Sequence, residues 1–239
     1  MNYPKASQYD SKFINDNMMG PNAMKVLEEL LGMMTQPKNA VVLDLGCGAG
    51  LTSIFMAKEY GWQVMAADLW IDPTDNYKRF KSFNLTPKEV MPIRAEAHAL
   101  PFAHEFFDLV VSVDAYQYFG CEEGYMERHL LPLVKPGGHL LIAVPGVRYE
   151  VEEGIPQAMT EVWDEEDLTS FKTVSYWQGL LEQVEGIASV EVSEMISFDE
   201  VWQDWLECDN EHAVGDREAF ECGASSYMNF IAMIIRKKS

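Results

Sequence analysis

A short apolar run that ends in three alternating glycines constrains this chain more than any other stretch. Residues 41–45 read Val-Val-Leu-Asp-Leu, and Gly46, Gly48 and Gly50 follow directly. Such a run is typical of a buried parallel strand. Glycine has no Cβ and tolerates positive φ, so the backbone can turn sharply and come close to a ligand. The pattern predicts a strand, a ligand-binding turn and a helix from about Leu51.

The residues around this turn distinguish between nucleotide cofactors. A dinucleotide-binding turn needs a small residue three positions after its second glycine, and Leu51 stands there. Asp44 precedes the first glycine by two residues, where a carboxylate would repel a pyrophosphate but could hold an ammonium or hydroxyl group. The turn favours a cofactor that has adenosine and no phosphates. A tight turn without a ligand remains the alternative.

A second acidic residue follows at the spacing that an adenosine site requires. The helix is expected to span Leu51–Tyr60 with Gly61 as its C-cap, and a second strand is expected to end at Asp68. Asp68 lies 22 residues after Gly46, close to the spacing at which one βαβ unit brings a carboxylate to the ribose hydroxyls.

Residues 43–50, Leu-Asp-Leu-Gly-Cys-Gly-Ala-Gly, resemble the first motif of the class I S-adenosylmethionine-dependent methyltransferases, of the small-molecule, methyltransferase-11-like type. The resemblance implies an α/β fold: a Rossmann-like, seven-stranded, mostly parallel sheet with an antiparallel C-terminal strand and helices on both faces. It also implies S-adenosyl-L-methionine as the cofactor and no metal. Residues 96–102, Glu-Ala-His-Ala-Leu-Pro-Phe, are similar to the family's loop after the third strand, where Glu96 and Ala97 would meet the adenine edge. The cofactor-binding residues predicted in this way are Asp44, Gly46, Cys47, Gly48, Gly50, Asp68, Leu69, Glu96, Ala97 and Asp114.

The segment after the predicted fourth strand is expected to face the methyl acceptor. Residues 107–113 form a clear apolar strand pattern, and ligands of parallel sheets bind outside the carboxyl ends of strands. Tyr116, Gln117 and Tyr118 are therefore the candidate catalytic residues, as groups that orient the acceptor. Residues 117–120 are also similar to the Glu-His-Phe-Gly exit of cyclopropane-fatty-acid synthases, but Gln117 and Tyr118 replace its charged pair. His98 is expected to face solvent, and a helix is expected over residues 122–133.

We expect a single methyltransferase domain over residues 1–239. Its predicted parts are an N-terminal helical cap (1–38), a cofactor-binding core (39–145), an acceptor-side insertion (146–186) and closing strands (187–239). By resemblance, Tyr9 and Phe13 are candidate lid residues, although packing on the sheet is the more common role. Residues 150–167 contain eight acids and no lysine or arginine. An acidic, aromatic lid of this kind would suit an amine or neutral acceptor, although a solvated acidic helix is the more common reading.

The charge and cysteine content exclude several classes of partner. The net charge of −20 opposes binding to nucleic acid or anionic membranes. The four cysteines are scattered without a Cys-x-x-Cys pair, which argues against a zinc site and a disulfide framework. No apolar run is long enough for a membrane span, and residues 1–5 lack a secretory signal pattern. We expect a cytoplasmic monomer or homodimer that acts on a small-molecule acceptor.

The predicted activity is in-line methyl transfer from the sulfonium of S-adenosylmethionine. This cofactor carries its own leaving group, so the protein contributes mainly alignment and exclusion of water. A nicotinamide oxidoreductase is disfavoured by Leu51 and by the lack of a Tyr-x-x-x-Lys pair. Two alternatives stay open: a non-catalytic S-adenosylmethionine-binding protein, and a cyclopropane-synthase-like enzyme that acts on lipid.

Overall fold

A computed structural model describes residues 2–148, 157–160, 163 and 165–239 of the chain. Most of the acidic stretch at 150–167, which was predicted to form a lid, lies outside the described residues. Among the described residues, none of the helices is both long enough and apolar enough to cross a bilayer.

Seven strands form one sheet in the order β3-β2-β1-β4-β5-β7-β6. The strands are β1 (Val41–Leu45), β2 (Gln63–Asp68), β3 (Val90–Arg94), β4 (Phe107–Val113), β5 (Val134–Val147), β6 (Ile187–Glu194) and β7 (Met228–Lys237). The pairings from β3 through β5 are parallel, and β7 pairs antiparallel with both β5 and β6. This arrangement confirms the predicted fold class.

Helices cover both faces of the sheet. They are α1 (Ser11–Asn17), α2 (Ala23–Gly32), α3 (Leu51–Tyr60), α4 (Pro73–Ser82), α5 (Gln157–Thr160), α6 (Glu165–Ser170), α7 (Val174–Glu182), α8 (Phe198–Leu206) and α9 (Glu211–Glu221). Side chains of β1 alternate between two cores: Val42 packs in the one that includes α2 and α3, and Leu43 packs in the one that includes α7. This alternation buries both faces, as expected of a central parallel strand.

The local patterns predicted the central elements well and the irregular ones poorly. The predicted bounds of β1, α3 and β4 are confirmed. The single helix predicted over 122–133 is wrong: the chain forms a π-helical turn at Met126–Leu130 and a 3₁₀ turn at Leu131–Leu133. Gly124 takes a positive φ of 72° and Pro132 lies in the second turn, and both residues oppose a continuous α-helix. Helices α1 and α9 were not anticipated.

Candidate functional site

A cleft of about 300 Å³ opens at the carboxyl ends of β1, β2 and β4. Five segments supply most of its wall: residues 17–21, 45–49, 67–70, 95–98 and 113–115. The cleft lies where the sheet order reverses, because β1 pairs with β2 on one side and β4 on the other. This is the position at which open α/β sheets bind ligands.

The glycine turn after β1 directs its amide groups into the protein. Gly46 and Cys47 both donate their N–H groups to the Ala67 carbonyl, at 2.8 and 3.1 Å, and Gly50 donates to the Cys47 carbonyl at 2.8 Å. The fourth amide, that of Gly48, donates to a carboxylate. A phosphate-binding turn needs free N–H groups, and four N–H groups of this turn already donate hydrogen bonds within the protein. These four N–H groups are therefore not available to a pyrophosphate.

Two of the three glycines face the cleft, and the third serves packing. Gly46 and Gly48 line the cleft, with φ of 72° and 51°. Gly50 (φ 81°) is not part of the wall; a Cβ there would lie 2.4 Å from a ring carbon of Phe80. The structure thus places Gly50 against α4 and away from the space where a cofactor would bind.

Asp44 also lies outside the cleft wall. Its side chain is 1% exposed and accepts hydrogen bonds from Thr52 Oγ1 at 2.7 Å and Ser53 Oγ at 2.5 Å. Burial raises the pKa of the Asp44 carboxyl to about 6, and the two hydroxyl donors oppose that rise. Asp44 therefore fixes the first turn of α3 beneath the glycine turn.

Asp68 joins the end of β2 to the glycine turn and lines the cleft. Its Oδ2 accepts from Gly48 N at 2.8 Å, and its Oδ1 accepts from Trp70 N at 2.8 Å and Ile71 N at 2.9 Å. An ionised carboxylate has about four acceptor positions, so these three bonds leave capacity for a ligand hydroxyl. Leu69, half exposed in the same wall, is placed to contact a flat ring.

The loop after β3 brings Glu96, Ala97 and His98 into the cleft wall. His98 was predicted to face solvent, but it lies between two carboxylates: Nδ1 is 2.7 Å from Glu96 Oε1 and Nε2 is 3.0 Å from Glu122 Oε1. The hydrogen bond to His98 lowers the pKa of Glu96, and the bond to Glu96 raises the pKa of His98. We call this arrangement of Glu96, His98 and Glu122 the bracket around His98. Its second carboxylate, Glu122, was missed because it lies 24 residues from His98 in the chain.

The exit of β4 separates the three candidate catalytic residues. Tyr118 is half exposed and lines the cleft. Tyr116 does not line it; the 3₁₀ turn at 116–118 points this side chain into the core, fully buried beside Tyr125 and Trp177. Gln117 is 4% exposed and is not part of the wall itself, but its Nε2 donates to Asp114 Oδ1 at 3.0 Å.

Asp114 lies in the cleft wall with a left-handed φ of 56°, a conformation that non-glycine residues adopt mostly at functional or turn positions. Burial raises the pKa of its carboxyl to about 7, the hydrogen bond from Gln117 opposes that rise, and the Asp216 carboxylate adds to it. Asp114 is thus a partly buried acid whose pKa lies close to neutral pH.

The N-terminal segment covers the cleft with residues that sequence reasoning missed. Tyr9 and Phe13 do not line the cleft; both rings pack on Phe83 instead. The lining residues are 17–21. Within this cover, Gly20 lies so close to Asp114 that a Cβ would meet its Oδ2 at 2.1 Å. The Met-Met-Gly-Pro run at 18–21 was the available signal.

The sheet order, the glycine turn and the acid at the end of β2 together define a Rossmann-like domain of the methyltransferase type. Residues 42–138 match the family described as methyltransferase domain. In the part that the structure describes, no group of three His, Cys, Asp or Glu side chains could hold a metal ion.

Similar proteins share this core. The chain is 39% identical over 114 residues to the 2-methyl-6-phytyl-1,4-hydroquinone methyltransferase of Synechocystis, covering 47% of this chain and 34% of the relative. It is 27% identical over 107 residues to the norajmaline N-methyltransferase of Rauvolfia serpentina, covering 45% and 36%. The match thus covers about a third of the length of each of these relatives.

Among solved structures, phosphoethanolamine N-methyltransferase 2 of Haemonchus contortus, in complex with S-adenosyl-L-methionine, superposes with a TM-score of 0.76 at 20% identity. The match covers 98% of this chain and 58% of that chain. At this identity the likeness establishes the shared fold.

Proposed function

We propose that this protein transfers the methyl group of S-adenosylmethionine to a small-molecule acceptor. The observation that carries the proposal is the glycine turn: the N–H groups of Gly46, Cys47, Gly48 and Gly50 are all engaged within the protein, while Asp68 stands beside them at the cleft. Such a turn suits a cofactor with ribose hydroxyls, and Leu51 at the position where a dinucleotide turn needs a small residue favours a cofactor without a pyrophosphate.

In this proposal the cofactor lies along the segments that end β1, β2 and β3. Asp68 would accept from the ribose hydroxyls. Leu69, Glu96 and Ala97 would surround the adenine, and the backbone at Gly46, Cys47 and Gly48 would pass along the methionine part. Asp44 and Gly50 support this site from behind, because they hold α3 and α4 against the turn.

The chain's own residues would supply alignment and a dry cleft. In-line transfer breaks the bond between the methyl carbon and sulfur, its electron pair stays on sulfur, and the acceptor's lone pair forms the new bond. Holding both reactants in this geometry can supply several kcal/mol of the barrier. The cover at residues 17–21 would exclude water, and Tyr118 would orient the acceptor from the opposite wall.

Two measurements test the proposal. Calorimetry with S-adenosylhomocysteine and with NAD should give micromolar binding of the first and none of the second. Incubation with methyl-labelled S-adenosylmethionine and a panel of amines, phenols and lipids should then give a labelled product by mass spectrometry. Binding of NAD, or of neither ligand, would contradict the cofactor assignment. Binding of S-adenosylhomocysteine with a silent panel would favour a non-catalytic binding protein.

The remaining expectations belong to the same proposal. A cytoplasmic location is supported by the four free cysteines, since disulfides are typical of oxidising compartments. The charge of −20 supports the expectation that the protein does not bind nucleic acid. A monomer or homodimer acting on a small molecule completes the proposal.

A further inference from the structure

The ionisable side chains of the cleft wall are mostly acidic. Its acidic residues are Asp68, Glu96 and Asp114, its histidine is His98, and none of the described lining residues is a lysine or an arginine. An acceptor that carries a phosphate or carboxylate would meet repulsion from these carboxylates, since His98 is already held between Glu96 and Glu122. A cationic or neutral acceptor meets none.

Among the described residues, no cation is found to balance the charge of Asp114. The influences on its carboxyl are burial, the Gln117 amide and the Asp216 carboxylate, and none of these supplies a positive charge. Gln117 donates to one oxygen, Oδ1. The other, Oδ2, lies under the backbone of Gly20, where a side chain larger than hydrogen would collide with it. The fold thus keeps side-chain bulk away from this oxygen.

Gln117 gives an independent sign of a missing partner at the same place. Its side chain is 4% exposed, and its Oε1 is buried without a hydrogen-bond partner. The amide nitrogen of the same side chain is 3.0 Å from Asp114 Oδ1. The unpaired oxygen therefore belongs to a side chain that contacts Asp114. Buried acceptors without donors are costly and rare. A cationic N–H donor in the cleft would balance the charge of Asp114, which Gln117 contacts from behind the wall.

Three large apolar side chains rim the same cleft while remaining exposed: Met19 (50%), Trp70 (70%) and Tyr118 (50%). Trp70 and Tyr118 come from the exits of β2 and β4, and their ring centroids are 6.0 Å apart. Exposed aromatic side chains grouped around a cleft commonly mark a ligand-binding surface. The cleft therefore combines an acidic inner end with an apolar mouth.

We propose that the acceptor is a primary or secondary amine on an apolar body, with its nitrogen held by Asp114, which Gln117 positions from behind the wall, and its body against Met19, Trp70 and Tyr118. This inference rests on the methyl transfer proposed above and deepens it. In it, Asp114 serves the acceptor and not the ammonium group of the cofactor.

The reaction balances with Asp114 as the proton acceptor. The amine enters as an ammonium ion and gives one N–H proton to the Asp114 carboxylate, which becomes a neutral acid. The freed lone pair attacks the methyl carbon, the carbon–sulfur bond breaks, and its electrons remain on sulfur. The positive charge thus passes from the sulfonium to the methylated nitrogen. Asp114 then returns its proton to water, which its pKa of about 7 permits near neutral pH.

The test compares matched probes in the full-length protein. The probes are 2-phenylethylamine, 2-phenylethanol and phenylacetate, which share an apolar body and differ in the polar end. The variants are Asp114→Asn, Gln117→Leu and, as a charge-matched control, Glu218→Gln on the exposed face of α9. Asparagine tolerates a left-handed φ, so Asp114→Asn should fold; unchanged thermal unfolding would verify this.

The expected result is methylation of the amine alone. Asp114→Asn should lower its kcat/KM about 100-fold, the scale of a lost general base, and Glu218→Gln should change it less than twofold. Wild-type kcat/KM should rise with pH through about 7, because only the carboxylate accepts a proton, and this limb should vanish in Asp114→Asn. Gln117→Leu should raise KM more than it lowers kcat.

Three outcomes would overturn the inference. Methylation of the alcohol or the acid, or of none of the probes, would refute an amine acceptor, while S-adenosylhomocysteine binding would keep the cofactor assignment standing. A loss of S-adenosylhomocysteine affinity in Asp114→Asn, without a loss for 5′-methylthioadenosine, would assign Asp114 to the cofactor's amino-acid part. Absence of S-adenosylhomocysteine binding in the wild type would remove the proposed function itself.

Discussion

The carboxylate of Asp68 accepts a hydrogen bond from the Gly48 N–H at 2.8 Å, so the acid that ends β2 and the glycine turn that follows β1 form one unit. The two strands already pair in parallel, with Leu45 opposite Ala67. The side-chain bond extends that pairing beyond the sheet. A ligand that contacts the acid therefore also lies against the turn.

Replacing Asp68 with alanine should weaken binding of S-adenosylhomocysteine about 5- to 150-fold. The change removes the proposed acceptor for the ribose hydroxyls and leaves the Gly48, Trp70 and Ile71 amides without their partner; such losses cost about 1–3 kcal/mol. Calorimetric titration measures the effect. Asp75→Asn, on exposed α4, is the control and should leave the affinity unchanged. Equal affinities for wild type and Asp68→Ala would remove Asp68 from the cofactor site.

The third glycine of the turn should matter for stability through its contact with Phe80. Gly50→Ala should lower the free energy of unfolding by about 3 kcal/mol, because a left-handed φ costs about 1–2 kcal/mol for alanine and the new Cβ would lie 2.4 Å from the ring. Gly61→Ala is the matched control: its φ is 65° and nothing lies within 4 Å of a Cβ there.

Urea unfolding of both variants measures the difference. Gly61→Ala should lose only about 1–2 kcal/mol, the strain of a left-handed alanine. If the two variants lost the same free energy, the contact with Phe80 would contribute nothing, and conformational strain alone would explain why glycine stands at position 50.

Sequence reasoning succeeded where one local pattern determined the structure. The apolar run and glycines predicted β1 and α3 with their observed bounds, and the spacing to Asp68 placed that acid at the cleft. It failed where the direction of the backbone determines which side chains are buried. A 3₁₀ turn sends Tyr116 into the core and leaves Tyr118 at the cleft, and residue type cannot reveal which way such a turn points.

The cover of the cleft could not be predicted from local sequence patterns either. Helix α1 is seven residues long, too short for a periodic apolar face, and its position depends on contacts with α4 distant in sequence. The same is true of the bracket around His98, whose second carboxylate comes from the loop after β4. These features depend on tertiary contacts that a pattern in one segment does not encode.

The bracket around His98 should make stability depend on pH. The pKa of His98 is raised by its hydrogen bond to Glu96 and by Glu122, so its stabilising effect is complete below the unfolded pKa of about 6.5 and is lost as pH rises through the higher folded pKa. His98→Ala should therefore lower Tm more at pH 5.5 than at pH 9. Thermal unfolding at both pH values measures this.

The control is His104→Ala, since His104 is exposed and lies on the following loop. Its effect on Tm should be small and the same at both pH values. Because the His98 side chain is about one third exposed, solvent screening limits the expected difference to a few degrees. A His98→Ala effect that grows with pH would contradict the bracket.

The cover of the cleft should depend on Arg79 of α4. Its Nε donates to Asn17 Oδ1 at 2.7 Å at the end of α1, and its Nη1 donates to Asn76 Oδ1 at 2.9 Å. Asn76 in turn donates to the Gly48 carbonyl at 2.8 Å, so one chain of bonds joins the cover to the glycine turn. Arg79→Ala should release residues 11–21 and increase their amide hydrogen exchange about tenfold or more.

The neighbouring substitution Lys78→Ala supplies the control, because Lys78 is exposed and pairs with Asp75 within α4. Exchange at 11–21 should stay at the wild-type rate in this variant. S-adenosylhomocysteine should slow the exchange of these residues in the wild type, since a ligand held under the cover stabilises the closed arrangement. In Arg79→Ala the slowing should be weaker. If Arg79→Ala left both the exchange rate and the ligand effect unchanged, the apolar contacts of α1 would suffice to hold it, and the bond to Arg79 would have no part in the cover.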